Sequence, residues 1–471
     1  MKFYGREEEL AILEAHWKEE EPIVDVLIGR RRIGKTHLAL QFVENKKNLY
    51  FFTSRKEIPA LLEEWGAIVR EVFPEVTTFR NIDEFLRILF LLLKDEKYVL
   101  IFDEFQNFKY IYPEAFSDFQ KHIDDVIEKN INVHLLFLGS SVTLMEKVFK
   151  DAKEPLFNRA TRIFRMEGFM FPLVHRIMRD LKLSKDVAAT FDFYSVFNGV
   201  PKYYDIMAKE KKRFGNLSDI MKEQCLSPKG ALTEEGFFLL QSEFGKDYQK
   251  YFDILTHLAL GETSITDIAI KLQEPTNKIA VYLNRLFTYY GLIEKRVPLL
   301  EPKQSETRYR IKDQFLKFWF RYIYKRLSYI ERGNTEFLWK IIKNDFTNHQ
   351  GPVFEELCTR LFLTDRVQKK LSLNFEIWEY GNFWSKKDTI EIDLIAYDKK
   401  KEHLLLIECK LNPRRITSSF INEFKVKSTY PLFQKFKTKK LVIWTKDPAD
   451  KQVQSLCKQH NVLSISLDDA L

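Results

Sequence analysis

Gly29-Arg30-Arg31-Arg32-Ile33-Gly34-Lys35-Thr36 decides the first half of this chain. It is an unbroken G-x-x-x-x-G-K-T phosphate loop. Its backbone N–H groups can converge on an anion at a helix start, with Lys35 on the β- and γ-phosphates and the Thr36 hydroxyl on Mg²⁺. The context fits: the apolar run Ile23–Ile28 precedes it, and a helical pattern from Thr36 to Val43 follows.

Outward from the loop, strand and helix signals alternate to about Gly168. Short apolar runs at 48–52, 98–102, 134–138 and 162–168 read as strands. Ile58–Phe73 and Glu114–Lys129 read as helices. Such alternation predicts a parallel sheet covered on both faces. Asp103 ends the third run, where a carboxylate can hold the Mg²⁺ shell, and Glu104 is placed to polarise a water or to cap the next helix. One strand is expected between the loop strand and the Asp103 strand. Ser140 or Ser141 then falls where a polar γ-phosphate sensor belongs. The triplet Arg30-Arg31-Arg32 reads as a phosphate or partner contact, or as a solvated edge.

Residues 171–245 read as a helical lid, 246–312 as a winged helix, and 313–350 as a helical connector. In the winged-helix reading, Lys271, Asn277, Lys278 and Arg285 face a major groove. Lys295, Arg296, Lys303, Arg308 and Arg310, with Pro298 and Pro302, make a basic wing, although such a module also serves for packing alone.

A second signature closes the chain. In residues 351–471, strands are expected at 374–380, 389–397 and 404–409, then a helix, a strand at 440–445, a helix and a last strand. Alternate strand residues share a face, so Glu408 and Lys410 point one way and Cys409 the other. A turn centred between Lys400 and Lys401 sets Asp393 opposite Glu408. Two carboxylates and a lysine then converge, a set able to hold Mg²⁺ or Mn²⁺ and activate water. Glu355 on the preceding helix is a further candidate ligand, and Lys425 and Gln434 lie near the following helix. A structural hairpin with surface charges is the alternative.

These residues carry a resemblance. Phe3–Leu10, the phosphate loop, Leu100–Glu104, Pro155-Leu156-Phe157-Asn158-Arg159 and Gly199–Tyr203 resemble the AAA-related archaeal and bacterial ATPases of the signal-transducing class with numerous domains. The resemblance implies that Arg159 is an arginine finger, acting within a chain or across a homo-oligomer. Asn158 departs from the glycine often found there. The order helix, three strands, helix, strand resembles the PD-(D/E)xK nucleases, and the same ATPases carry a C-terminal domain of this pattern with no known function. The resemblance implies an α/β multidomain enzyme. Its P-loop ATPase core (1–170) controls a DNA-cleaving domain (351–471), in defence or mobile-DNA processing. It equally accommodates an ATP-switched DNA-binding or signalling oligomer with an inactive nuclease fold, triggered by a protein partner.

Composition bounds these readings. The chain has 471 residues, too many for one ordinary core. A net charge of +8 permits contact with a phosphate backbone without requiring it. The four cysteines and nine histidines show no zinc spacing, and four scattered cysteines read as reduced thiols. The opening residues lack a signal-peptide core. The longest apolar run, 85–93, is interrupted by Arg87 and too short to span a bilayer. A cytoplasmic protein without membrane contact is expected.

Overall fold

The computed structural model describes residues 3–210, 216–244, 248–301 and 306–471. It divides into two compact units. The first comprises the chain to Phe169 with Val200–Asp205 and Thr288–Gly291. The second comprises Met170–Gly199, Ile206–Phe287 and Leu292–Leu471.

The first unit is built on five parallel strands: β1 (Ile23–Ile28), β2 (Asn48–Phe52), β3 (Tyr98–Asp103), β4 (Val133–Gly139) and β5 (Arg162–Arg165). Their order is β2-β3-β4-β1-β5, so β4 separates the loop strand from the Asp103 strand. Every residue of β1, β3 and β4 is buried, which is why their sequences run apolar without alternation. Within β1, Asp25 is buried with one carboxylate oxygen shared by His16 at 2.8 Å and His134 at 3.0 Å. Aromatic rings fill one face: Phe102 meets Phe119 edge-on at 4.9 Å and stacks on Phe137 at 5.5 Å. This sheet presents the C-terminal ends of β1 and β3 side by side with β4. β5 ends at Arg165, short of the expected Gly168.

The second unit begins with helices Phe171–Asp180 and Val187–Phe197. Helices Tyr248–Leu260, Ile265–Leu272 and Thr276–Thr288 follow, the last reaching the boundary of this unit. Ser264 caps the middle one, its hydroxyl accepting from the Asp267 N–H at 3.1 Å. A two-stranded antiparallel ribbon follows, β6 (Ile293–Arg296) and β7 (Arg308–Ile311). Pro302 and Lys303, expected in its loop, lie outside the described residues.

A second sheet closes the chain: β8 (Glu379–Ser385), β9 (Ile390–Tyr397), β10 (His403–Lys410), β11 (Thr438–Thr445) and β12 (Val462–Ser466). The order is β12-β11-β10-β9-β8. β8, β9 and β10 form an antiparallel meander, and β11 and β12 run parallel to β10. Helix Ser418–Lys427 connects β10 to β11, and helix Lys451–Gln459 connects β11 to β12.

Two expectations are corrected here. The first strand of this sheet is 379–385, not 374–380. It continues past Gly381 through a bulge because Phe383 and Trp384 bury against β9. The boundary expected between residues 350 and 351 falls inside one helix, Thr335–Leu361, which contains Pro352. Buried Leu338, Ile342, Val353, Phe354 and Leu357 hold both halves of that helix, so packing overrides the local break.

Candidate functional site

The phosphate loop links β1 to helix Lys35–Phe42. Gly34 takes φ of 94°, which a side chain would strain. A Cβ on Gly29 would sit 2.6 Å from the Met166 carbonyl. Both glycines are therefore demanded by the backbone. Lys35 is buried, its Nζ donating to the carbonyls of Gly29 at 2.7 Å and Arg30 at 3.1 Å. Burial holds its pKa below the ordinary lysine value, against Glu104 and Asp103, which pull it up.

At the end of β3, Asp103 accepts from the Thr36 hydroxyl at 2.8 Å and from the Tyr50 hydroxyl at 2.6 Å. Burial, then Asp103, pushes the Tyr50 pKa up, so Tyr50 remains a donor. Glu104 follows in a left-handed conformation, φ 54°. Its carboxylate accepts from the Ser140 hydroxyl at 2.6 Å and from the Gln106 side chain, whose amide also reaches Ser140 at 3.0 Å. Glu104 therefore does not act as a helix cap here: it faces the β4 terminus.

A cavity of about 640 Å³ opens over the loop. Arg31, Arg32, Lys35, Thr36 and Glu104 line one part of it, and Phe3, Tyr4 and Phe169 supply apolar surface. Arg6 braces the wall: it donates to the Glu167 carbonyl and stacks over Phe169 at 5.4 Å. Such a cavity offers cations to phosphates and an apolar face to a base. The paired hydroxyl and carboxylate of Thr36 and Asp103 suit a hard divalent cation. Arg159 is not among the lining residues. It forks onto Asp124, with both contacts at 3.1 Å.

The second candidate site lies on β9 and β10. Their register runs Leu404↔Tyr397 to Ile407↔Leu394, and its continuation sets Asp393 opposite Glu408, as the turn spacing requires. Asp393 accepts from the Cys409 N–H at 2.7 Å. Burial first, then Glu355 and Glu408, pushes the Asp393 pKa well up. Burial also raises Glu355, which Arg310 of β7 faces at 3.7 Å. The three carboxylates thus share one electrostatic environment. Glu408 is buried and bridged by two cations, Lys410 at 3.0 Å and Lys427 at 2.8 Å. Burial lowers the Lys410 pKa, but Glu408 and Asp393 outweigh it and hold this lysine charged.

The donor chemistry fits a divalent cation, but the arrangement is closed. Among the described residues no group of three or more His, Cys, Asp or Glu side chains is set to hold a metal. Both Glu408 oxygens face lysines. Lys427 was not legible because it stands 19 positions from Glu408 in sequence and reaches it only by the turn of the β10–β11 connection. Lys425 contacts His460 at 3.3 Å and Gln434 donates to the Thr429 carbonyl, so neither joins this group.

The cations expected on a DNA-facing wing are largely engaged by protein. Arg308 forks onto Glu391 at 2.6 and 3.3 Å and covers Trp384. Arg296 bonds Glu294 at 2.5 Å and Asn382 at 3.2 Å. Lys295 lies 5.0 Å from the Phe287 ring. Lys278 pairs with Glu274 at 3.0 Å, and Lys271 with Glu262 at 3.8 Å.

Comparison with known proteins agrees with the first unit. Residues 3–203 match the family described as an ATPase domain predominantly from Archaea. Residues 319–419 match a family of archaeal and bacterial proteins of unknown function. The protein MJECL04 of Methanocaldococcus jannaschii is 30% identical over 409 residues, 87% of this chain and 87% of its own length. The ATP-binding protein MJ0423 of that organism is 51% identical over 45 residues, 10% of this chain and 76% of its own. Among solved structures, the Walker-type ATPase PABY2304 of Pyrococcus abyssi aligns with a TM-score of 0.53 at 19% identity. The alignment covers 68% of this chain and 96% of that one. At that identity the likeness is one of fold. No described helix is long and apolar enough to cross a membrane.

Proposed function

This chain belongs to the family of the Methanocaldococcus jannaschii protein MJECL04 and carries an archaeal P-loop ATPase domain, and from that premise we propose that ATP binding and hydrolysis control a phosphodiester-cleaving domain at residues 351–471. The nucleotide with Mg²⁺ supplies the transferable phosphoryl group. Lys35 neutralises phosphate charge, Thr36 and Asp103 offer oxygen ligands, and Glu104 orients the attacking water with Ser140 beside it. Arg159 leaves Asp124 to meet phosphate in a neighbouring subunit of a homo-oligomer. Helices 248–288 with the β6–β7 ribbon act as a winged helix that carries the nucleotide state onward.

The observation that carries the nuclease reading is the convergence of Asp393, Glu408 and Lys410 on adjacent antiparallel strands, with the Asp393 pKa raised by burial and then by its acidic neighbours. Asp393 and Glu408, with Glu355, would hold Mg²⁺ or Mn²⁺, which lowers the pKa of bound water. Lys410 would then orient that water and stabilise charge at phosphorus. DNA is the substrate, and the cytoplasm the place of action. Pure protein is to be incubated with linear, circular and single-stranded DNA, with Mg²⁺ or Mn²⁺, with and without ATP, beside Lys35→Ala and Asp393→Ala. Cleavage lost in Asp393→Ala and altered in Lys35→Ala is the expected result. No cleavage of any form, while ATP turnover persists, would sink it.

One observation favours a second reading. The two lysines that bridge Glu408 suit a nuclease fold retained as an inert module of an ATP-switched DNA-binding or signalling oligomer, triggered by a protein partner. Calorimetry with Mn²⁺ separates the two: heat that vanishes in Asp393→Ala belongs to the nuclease, and none in the wild type belongs to the inert module.

A further inference from the structure

Beside the carboxylates of the second unit lies a cavity of about 850 Å³. Glu355, Cys409 and Lys410 contribute to its wall, so it opens onto the candidate site itself. The loop that leaves β10 forms another part, and there Arg414 and Arg415 stand side by side, both exposed.

These two arginines differ from the cations around them. Arg308, Arg310 and Lys427 each face an acid, as does Lys410. Lys446, across the cavity, lies 3.5 Å from Asp192. Among the described residues no acid pairs with Arg414 or Arg415. Other acids in the cavity wall have other roles: Asp450 caps helix Lys451–Gln459, and Asp447 lies 4.0 Å from Lys446. The loop is also shaped. The Asn412 side chain accepts from the Arg414 N–H at 2.9 Å and starts a 3₁₀ turn over Pro413–Arg415, so the backbone that bears the two guanidiniums is fixed.

A guanidinium presents a planar fork of donors that matches a phosphate. Two adjacent unpaired guanidiniums, a few residues beyond Lys410 on a fixed turn, match consecutive phosphates of one strand. We infer that this cavity is a groove for a nucleic-acid strand, with Arg414 and Arg415 holding its phosphodiester backbone so that one phosphate reaches Lys410 and Glu355. The inference rests on the phosphodiester-cleaving reading for its purpose but not for its binding step. It moves the nucleic-acid surface from the ribbon, whose arginines are engaged, to the loop after β10.

The test measures binding without turnover. Fluorescence anisotropy of labelled single-stranded DNA, duplex DNA and single-stranded RNA is recorded with the full chain in EDTA, across a salt series. Arg414→Glu/Arg415→Glu is compared with Lys399→Glu/Lys400→Glu, an equal charge change at the β9–β10 turn. The arginine pair is expected to weaken binding roughly tenfold or more. In the milder Arg414→Gln/Arg415→Gln the salt slope for a single strand should fall by about 1.4, at about 0.7 per phosphate contact. The Lys399/Lys400 variant should bind as wild type, and the strand bound tightest identifies DNA or RNA as the ligand. Equal binding by the arginine variant and the wild type, or no binding by the wild type, overturns the inference. Binding that depends on the arginines with no cleavage in Mg²⁺ or Mn²⁺ keeps the groove and rejects the nuclease. Cleavage that persists with the arginines reversed rejects the groove alone.

Discussion

The two acidic centres of this chain solve the same problem differently. At the end of β3, Asp103 is met by two hydroxyls, Thr36 and Tyr50, and Glu104 by Ser140 and Gln106. At the end of β10, Glu408 is met by two ammonium groups and Asp393 by a backbone N–H. Hydroxyls satisfy a carboxylate's lone pairs without neutralising its charge, so the first centre keeps its negative field for a cation and its lysine for phosphate. Ammonium groups cancel the charge, so the second centre is balanced before any ligand arrives. Burial makes that balance necessary, since an unpaired buried carboxylate is costly. The difference predicts a first centre that answers to nucleotide and a second that must be opened.

The largest expected effect tests the first centre. Lys35→Ala should reduce ATP turnover roughly 100-fold or more, because the phosphate charge loses its only fully buried partner in the loop. Phosphate release measured with the native fold retained checks it. Turnover near wild type would place the active ATPase site elsewhere.

Next, Glu408→Gln should destabilise the second unit by about 1–3 kcal/mol, because two lysines lose their shared partner. The upper figure for a buried pair is not reached, since each lysine is about a quarter exposed (28% and 27%). Urea unfolding followed by tryptophan fluorescence reads it. An unchanged midpoint would show that the lysines do not need Glu408, and the contrast between the centres would fail.

Acid sharpens the contrast through two buried histidines. His134 of the first unit has Asp25 beside it, which offsets part of the lowering caused by burial. His349 of the second unit has the Ser195 carbonyl at 2.8 Å as its hydrogen-bond partner. Burial, then Lys317, holds its pKa at about 3. A base whose folded pKa is depressed binds fewer protons folded than unfolded. Its stabilising contribution is therefore full above the unfolded value of about 6.5 and is lost as pH falls from there toward 3. His349→Gln should thus flatten the contribution of this residue to acid destabilisation of the second unit between about pH 6.5 and 3. Hydrogen exchange or urea midpoints across that range measure it. A loss of the same slope in the variant would assign the acid response to other groups.

The smallest effect is that of Tyr50→Phe. It removes one hydrogen bond to Asp103 while Thr36 keeps the other, so about 0.5–1.5 kcal/mol of stability and a few-fold change in turnover are expected. A loss as deep as that of Lys35→Ala would make Tyr50 a principal residue of the site.

Much of this was legible in the chain. Predominantly apolar runs located β1, β3 and β4 because a parallel sheet buries both faces, and the G-x-x-x-x-G-K-T spacing located Lys35 and Thr36. The turn at Lys400 and Lys401 placed Asp393 opposite Glu408 because strand pairing has a period of two. Tyr50 could have been found the same way: it lies in the middle of β2 opposite Ile101, two residues before Phe52 meets Asp103. Gln106 had no signal, because its reach to Ser140 depends on the left-handed turn at Glu104. The 374–380 strand and the boundary at 350/351 differ from the structure for one reason: the burial of Phe383 and Trp384 against β9, and of both halves of helix Thr335–Leu361, decides where these elements run, and local sequence signals do not report it.

What the sequence determined by itself is everything set by short-range geometry: the phosphate loop, the strands that carry Asp103 and Glu408, and the face shared by Glu408 and Lys410. What only the tertiary structure decided is which charge meets which. Lys427 bridges Glu408, Arg310 faces Glu355, Arg308 locks to Glu391, and Arg159 rests on Asp124, each across a separation no periodicity encodes. A charge's partner follows from where two elements pack, and a cation read in isolation carries no sign of whether it is engaged or free. That is why the arginines of the ribbon looked available and are engaged, while Arg414 and Arg415 drew no notice and are exposed.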